Sequence, residues 1–368
     1  MADTQRISSE PARSLLELRN GIDAIDNRLL ELINHRLELV QEVGRIKASR
    51  GRQVRDSARE QQIFSRLLSL NDGPLDERVL KQLFTQIMAA SRQLQRPHRI
   101  AFLGPEATFT HIAAMRYFGH SVCYLPRPDI RDVFLEVEKN TCHYGVVPVE
   151  NSIEGAVNHT LDLFFESDLK ICAELYQPIS HDLLSTTGRL KDIRVIYSHP
   201  QPFSQCRCWL RKYLPDVRLS ECSSTARAAR KAAGEEGAAA IASSEAARLY
   251  SLEVAASRIE DIARNTTRFL TIGKDDVHRT GNDKTSLMFV TGHVPGALYQ
   301  ILRPVAESRL NMLKLESRPT RCQNWSYFFF MDIEGHLEDE AVSKALVEMK
   351  KLCMYMKILG SYPKAEEF

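Results

Sequence analysis

Long apolar runs are missing from this sequence: nowhere do about 18 apolar residues follow one another, as a membrane-crossing helix requires. The opening Met-Ala-Asp-Thr-Gln-Arg holds no apolar signal core, so a cytoplasmic location with no membrane partner is expected. An excess of one charge is missing too. With 49 basic against 47 acidic residues the formal charge is +2, so no global field draws the chain onto nucleic acid, and none is expected as a partner. Any anionic ligand must instead be held by local cations. The eight cysteines (123, 142, 172, 206, 208, 222, 322 and 353) have no metal-ligand or redox spacing; Cys206 and Cys208 are separated by one residue rather than two. Reduced thiols and no bound metal are expected. Between 99 and 283 there is no Walker loop, GxGxxG, HExxH or GxSxG, which removes support for the common cofactor and hydrolase chemistries. Internal repeats are absent, and the only compositional bias is an alanine-rich stretch around 226–242.

What is present is a globular composition, 43% hydrophobic and 26% charged, over 368 residues, enough for two or three cores. From Ser14 to Ser49 no proline occurs, and Leu15, Leu18, Ile22, Ile25, Leu29, Leu32, Leu39, Val43 and Ile46 recur at steps of three and four. That spacing predicts one helix of roughly 50 Å, longer than a small domain is wide, so part of it is expected to pack on a second copy of the chain. Further helices are predicted over 57–70, ended by Asn71-Asp72-Gly73-Pro74, and over 76–95 before Pro97. Beyond Pro97, short apolar runs at 99–103, 144–149, 171–176, 193–197, 217–221, 238–242 and 268–272 alternate with helical stretches. This is α/β layering, with room for two lobes and a cleft. From Lys284 the order strand, helix, strand, strand, helix, strand predicts an α+β ferredoxin-like unit. The expected domains are 1–96, 97–276 and 284–368.

Several polar residues break this grammar. The stepping pattern of the first helix demands an apolar residue at 36, yet Arg36 stands there, with Lys47 three turns further on nearly the same face. On the third helix the stripe Leu80, Phe84, Ile87/Met88 runs into Ser91 and Gln95, and Arg55-Asp56-Ser57-Ala58-Arg59-Glu60 opens the second helix. One such group alone is read as snorkelling to solvent or pairing locally; together they make an interior able to hold a small dianion. In the middle region, Thr108, Ser152 and Ser224 lie in polar turns beside strands and read as helix caps, which also suit anion binding. His111 and His199 read as structural.

Residues 14–96 resemble the all-helical chorismate mutases, with Arg19, Arg36, Lys47, Asp56, Arg59, Glu60, Ser91 and Gln95 falling at that family's site positions. The resemblance implies a pericyclic rearrangement of chorismate to prephenate that needs shape and charge rather than an acid or nucleophile. Arg36 and Arg19, the latter reaching into a partner's site, would clamp the two carboxylates. Lys47 and Gln95 would donate to the ether oxygen as charge develops, and Glu60 would take the hydroxyl. Asp56 and Ser91 would anchor or orient, and Arg59 would help close the site.

Gly104-Pro105-Glu106, Val147-Pro148-Val149-Glu150-Asn151, Tyr197-Ser198-His199-Pro200-Gln201 and Thr267-Arg268-Phe269 are similar to prephenate dehydratase, with its two-lobed, periplasmic-binding-protein-like fold. This implies a substrate, prephenate, that loses CO2 and its ring hydroxyl together. Thr267 would assist the departing hydroxyl within a network of Glu150, Asn151 and Ser152, and Phe269 would line the site. Arg268 has two open readings, a carboxylate anchor or a structural ion pair. Residues 284–368 resemble ACT regulatory domains. Gly296-Ala297-Leu298-Tyr299 and Leu315-Glu316-Ser317-Arg318-Pro319 match the phenylalanine-sensing members, apart from Tyr299, where the family usually has valine. The implied effector is L-phenylalanine, held by Gly296, Ala297, Leu298, Glu316, Ser317, Arg318 and Pro319. Neither reaction calls for a cofactor. A homodimer or higher oligomer is implied. The rival readings are a ligand-responsive DNA-binding regulator with a two-lobed sensor, and an exported solute-binding protein. The first lacks the short helices and basic recognition face of a helix-turn-helix, and the second lacks a signal.

Overall fold

The computed structural model of the chain describes residues 14–49, 57–95, 98–120, 122–319 and 327–365; at 47–49, 57, 58, 92, 93 and 95 it describes the backbone alone. Three helices come first: α1 (Leu15–Ser49), α2 (Ser57–Leu70) and α3 (Glu77–Gln95). α1 is 35 residues long, as its uninterrupted apolar stepping predicts, and it lies along α3. Its apolar ridge stays open in the single chain, with Ile22, Ile25 and Leu29 each at least half exposed (57%, 61% and 50%). No helix of the described residues is long and apolar enough to cross a membrane.

The next elements build the first lobe: β1 (Arg99–Leu103), α4 (Phe109–Phe118), β2 (Cys123–Arg127), α5 (Ile130–Glu138), β3 (Tyr144–Asn151), β4 (Gly155–Ala156), α6 (Asn158–Glu166) and β5 (Lys170–Pro178). The chain then leaves for a second lobe: β6 (Asp182–Ser185), β7 (Val195–Ser198), α7 (Pro200–Gln205), α8 (Arg207–Tyr213), β8 (Arg218–Glu221), α9 (Thr225–Ala233), β9 (Ala238–Ala242), α10 (Ser244–Tyr250) and β10 (Glu253–Ala256). It returns as β11 (Thr266–Gly273), which inserts between β3 and β5, so the first sheet runs β2-β1-β3-β11-β5 and the second β10-β6-β9-β7-β8. The alanine bias now has a purpose. Ala226, Ala228, Ala229 and Ala232 of α9 meet the all-small face of β9 with no side chain long enough to hold helix and sheet apart.

The C-terminal unit is β12 (Asp283–Val290), α11 (Ala297–Glu307), β13 (Met312–Pro319), β14 (Tyr327–Glu334), α12 (Glu340–Leu352) and β15 (Tyr355–Pro363), paired antiparallel in the order β13-β14-β12-β15. Strand alternation splits its apolar residues between two cores. Leu287, Phe289, Met331 and Ile333 pack under α11 and α12, whereas Met288, Phe328, Phe330, Leu359 and Tyr362 pack on the first lobe beside Leu161, Phe164, Ile171 and Leu270. Contact there is close enough that a β-carbon on Gly360 would overlap the Ile171 carbonyl oxygen. The chain is thus all-α, then two-lobed α/β, then α+β ferredoxin-like.

The helical unit docks through α3, whose Ala89 is buried against Gly119 at the end of α4. Gly119 has φ 84° and ψ 177°, a conformation essentially confined to glycine, and a β-carbon there would overlap the Ala89 methyl. Gly119→Ala is expected to cost about 1–3 kcal/mol through strain and overpacking. Urea unfolding followed by circular dichroism checks this, and an unchanged midpoint would contradict the docking.

Candidate active sites

In the helical unit, Arg36 is half-buried, and its Nη1 donates to Ser91 Oγ at 2.5 Å, while Ser91 passes its own proton to the Ile87 carbonyl at 2.7 Å. Burial lowers the Arg36 pKa. Glu60 is half-buried and Arg59 exposed on the first turn of α2. Arg19 is exposed on α1, and the 17 helical steps from it to Arg36 correspond to about 25 Å of helix, beyond the reach of its own chain's Arg36. Asp56 lies outside the described residues, and so do the side chains of Lys47 and Gln95.

In the two-lobed unit the geometry is tighter. Asn151 at the end of β3 stands directly opposite Thr267 on β11. Asn151 Oδ1 accepts from the backbone N–H groups of Ile153 and Glu154 at 3.0 and 3.1 Å, which fixes which way the amide faces. Its Nδ2 therefore donates, to Thr267 Oγ1 at 2.8 Å and Asn265 Oδ1 at 2.7 Å. Because the Thr267 oxygen accepts in this bond, its own proton is left to donate elsewhere. The network continues across the crossover between lobes. Asn265 Nδ2 donates to Gln205 Oε1 at 3.2 Å, His181 Nε2 donates to the same oxygen at 2.8 Å, and Gln205 Nε2 reaches back to Glu154 Oε1 at 3.3 Å.

The other expected site residues are dispersed. Ser152 caps no helix; it brackets β11, donating its N–H to the Thr266 carbonyl at 2.9 Å and accepting the Thr266 N–H on Oγ at 3.0 Å. Thr108 and Ser224 do cap α4 and α9. His111 stacks on Phe102 at 4.6 Å, and its Nδ1 accepts the Ala107 N–H. Phe269 is buried in the core with Ile100, Phe102 and Phe118. Glu150 and Arg268 face the C-terminal sheet instead of the cleft. Glu150 ion-pairs with Lys314 at 2.7 Å, and Arg268, 4% exposed, ion-pairs with Glu174 at 2.8 Å and Asp332 at 2.7 Å. The ion-pair reading of Arg268 is the one the geometry favours over the carboxylate anchor. In the C-terminal unit, Gly296 takes a left-handed φ of 76° ahead of Ala297 and Leu298 at the start of α11. Across the sheet, Arg318 donates to Asp162 of α6 at 3.4 Å, and Glu316, two residues earlier on β13, shares that face. Ser317 and Pro319 are exposed on the helix-side face.

His181, Gln205 and Asn265 are functional candidates that the sequence motifs above do not include. Gln205 was discoverable, since it follows the Tyr197-Ser198-His199-Pro200-Gln201 motif by four residues; His181 gives no local signal.

His181 is 2% exposed, and burial, set against its hydrogen bond to Gln205, lowers its pKa below the ordinary imidazole value of about 6.5. The unfolded chain then binds the proton first, so the stabilisation is complete above that value and is lost as pH falls toward the folded pKa. Unfolding midpoints should drop as pH falls below about 6.5. In His181→Gln that part of the drop should shrink; an unaltered pH profile would dismiss the assignment.

Known proteins resemble this chain in all three of its units. The chorismate mutase type II model matches residues 18–96, the prephenate dehydratase model 100–277 and the ACT domain model 285–350. A bifunctional chorismate mutase/prephenate dehydratase of Aquifex aeolicus is 45% identical over 355 residues, spanning 95% of this chain and 98% of the relative. One of Escherichia coli K12 is 37% identical over 376 residues, spanning 95% and 96%. Among solved structures, a prephenate dehydratase of Arthrobacter aurescens in complex with L-Phe is 34% identical with TM-score 0.67, covering 72% of this chain and 90% of its own. Another, GqqA, described as a novel type of quorum quenching acylase, is 30% identical with TM-score 0.66, covering 73% and 98%. With both catalytic domains and the ACT domain matched in one chain, and relatives aligned almost end to end, this chain belongs to the family of bifunctional chorismate mutase/prephenate dehydratases.

Proposed function

We propose that this chain rearranges chorismate to prephenate on its helical domain (1–96), converts prephenate to phenylpyruvate in its two-lobed domain (97–276), and is inhibited by L-phenylalanine through its ACT domain (284–368), all in the cytoplasm. The observation that carries this reading is the bond from Asn151 Nδ2 to Thr267 Oγ1 at 2.8 Å. In the dehydratase step the bond to the ring carboxylate breaks as CO2 leaves. Its electron pair aromatises the ring and expels the ring hydroxyl, which departs as water once it gains a proton. A threonine hydroxyl is a weak acid, but one whose oxygen accepts from a fixed amide is a stronger donor.

The mutase step forms a carbon–carbon bond as the ether C–O bond breaks, so its site needs only to hold the reactive chair and stabilise charge on the ether oxygen. Arg36, with Ser91 behind it, anchors one carboxylate; Lys47 and Gln95 serve the ether oxygen, Glu60 the hydroxyl, and Asp56 and Arg59 the closure of the site. The second carboxylate belongs to Arg19 of another copy, and the exposed α1 ridge supports such a homodimer, since an apolar stripe of this length is costly in water. L-phenylalanine binds around Gly296, Ala297, Leu298, Ser317 and Pro319, with Glu316 and Arg318 on the face toward the dehydratase lobe.

Purified protein given chorismate at neutral pH should yield prephenate and then phenylpyruvate, resolved by chromatography. Thr267→Ala should slow the second step by about 10²–10⁴-fold while prephenate accumulates at the normal rate. Arg36→Ala should slow the first by about 10²-fold or more yet process supplied prephenate normally. Loss of both steps in either variant would contradict separate sites. Ile25→Glu should weaken the dimer in sedimentation and depress the mutase alone.

A further inference from the structure

The two residues that meet in the cleft each have a neighbour aimed the opposite way. On β3 and β11 the opposed pairs are Asn151 with Thr267 and Glu150 with Arg268. Alternation along each strand sends the first pair into the cleft and the second onto the ACT sheet. All four strands of that sheet take hold there. From β13, Lys314 pairs with Glu150 at 2.7 Å. From β14, Asp332 pairs with Arg268 at 2.7 Å, and from β15 the Tyr362 hydroxyl accepts from Arg268 Nη2 at 3.1 Å. From β12, Lys284 joins Arg268 on Glu174 Oε2, each at 2.8 Å.

Three nitrogens of the Arg268 guanidinium are therefore engaged on protein partners. The pairing of β11 with β3 also breaks register at Arg268/Phe269, the kind of irregularity that re-aims side chains beside active sites. Neighbouring Cα atoms are about 3.8 Å apart, so a displacement of the ACT sheet that drags Arg268 or Glu150 is felt one residue away. A hydrogen bond of 2.8 Å has about 0.7 Å to spare before it is lost.

We propose that Glu150 and Arg268 are positioning residues through which the ACT sheet sets the Asn151–Thr267 pair, and that effector binding slows the dehydratase by shifting this grip. The second half rests on the regulatory reading above. Its experiment separates the two.

The dehydratase kcat and KM are measured for full-length wild type and Arg268→Lys, with phenylalanine absent. Arg268→Lys keeps the charge but loses the three-way hold, so kcat should fall at least tenfold with KM for prephenate within threefold. A raised KM with normal kcat would put Arg268 on the substrate and overturn the positioning role. Lys314→Met and the isosteric Asp332→Asn are then compared with wild type for phenylalanine affinity by calorimetry and for residual dehydratase rate at saturating phenylalanine. Both variants should bind phenylalanine within threefold of wild type yet keep at least half of their uninhibited rate. Binding with inhibition as complete as in wild type overturns the transmission route. Wild type that neither binds nor responds to phenylalanine overturns the regulatory reading itself, and leaves the kcat result on Arg268 to stand or fall by itself. Lys314 lies at the margin of the interface, so its variant serves even if Asp332→Asn does not fold.

Discussion

Two positive and two negative side chains are shut away from water between the dehydratase lobe and the ACT sheet: Arg268 and Lys284 against Glu174 and Asp332, none more than 5% exposed. Moving one such charge out of water costs several kcal/mol, so the cluster is tolerable only when every partner is present. Burial works against the charge on Arg268, but Tyr362, Asp332 and Glu174 outweigh it and hold its pKa well above the ordinary value. The demand for completeness makes the interface all-or-none. Each face supplies one charge of either sign, Arg268 and Glu174 from the lobe and Lys284 and Asp332 from the ACT sheet, but the pairs Arg268–Asp332 and Lys284–Glu174 cross between them, and the apolar contacts of Met288, Phe330 and Leu270 close around those crossings.

The helical domain is held differently. Ala89 of α3 packs there on Gly119 of the lobe, and the domain's own apolar ridge on α1 is turned outward. Its chemistry asks little of the rest of the chain, since a pericyclic step needs a shaped, charged pocket and no proton traffic. The dehydratase does need a proton at one atom, and its two lobes share a hydrogen-bond network that reaches from Thr267 to His181. The two activities thus differ in how far each site depends on distant parts of the protein.

Much of this was legible in the residues. The helices α1 to α3 could be read because apolar steps of three and four run without proline until Asn71-Asp72-Gly73-Pro74 and Pro97, and the strands of the lobes because β-branched and aromatic runs are bounded by turns. Four short strands escaped: β2, β4, β6 and β10, whose Cys-Tyr-Leu-Pro-Arg, Gly-Ala, Asp-Leu-Leu-Ser and Glu-Val-Ala-Ala are too brief or too mixed to show a period. Thr267 and Arg268 could be seen to matter, but not that they look in opposite directions toward different domains. Alternation separates neighbours on a strand; only the tertiary fold decides which face becomes the cleft. The same holds for Glu150, which pairs with Lys314 on the C-terminal sheet. His181 was out of reach because its partner Gln205 is 24 residues away on another element.

The return of β11 to the middle of the first sheet also dictates the order in which a growing chain can finish its domains. All five strands of the second lobe lie between Asp182 and Ala256, and Ile259 and Asp261 complete its core and the start of α8, so that lobe has its parts before β11 is made. The first lobe, although its earlier strands are made sooner, lacks the strand that joins β3 to β5 until residue 273. During synthesis at about 5–20 residues per second, its half-built sheet waits with the edges of β3 and β5 unpaired while the later segment folds first. Thr267 arrives on the same strand that ends this wait, so a ribosome-bound chain has no Asn151–Thr267 pair before its first sheet is closed.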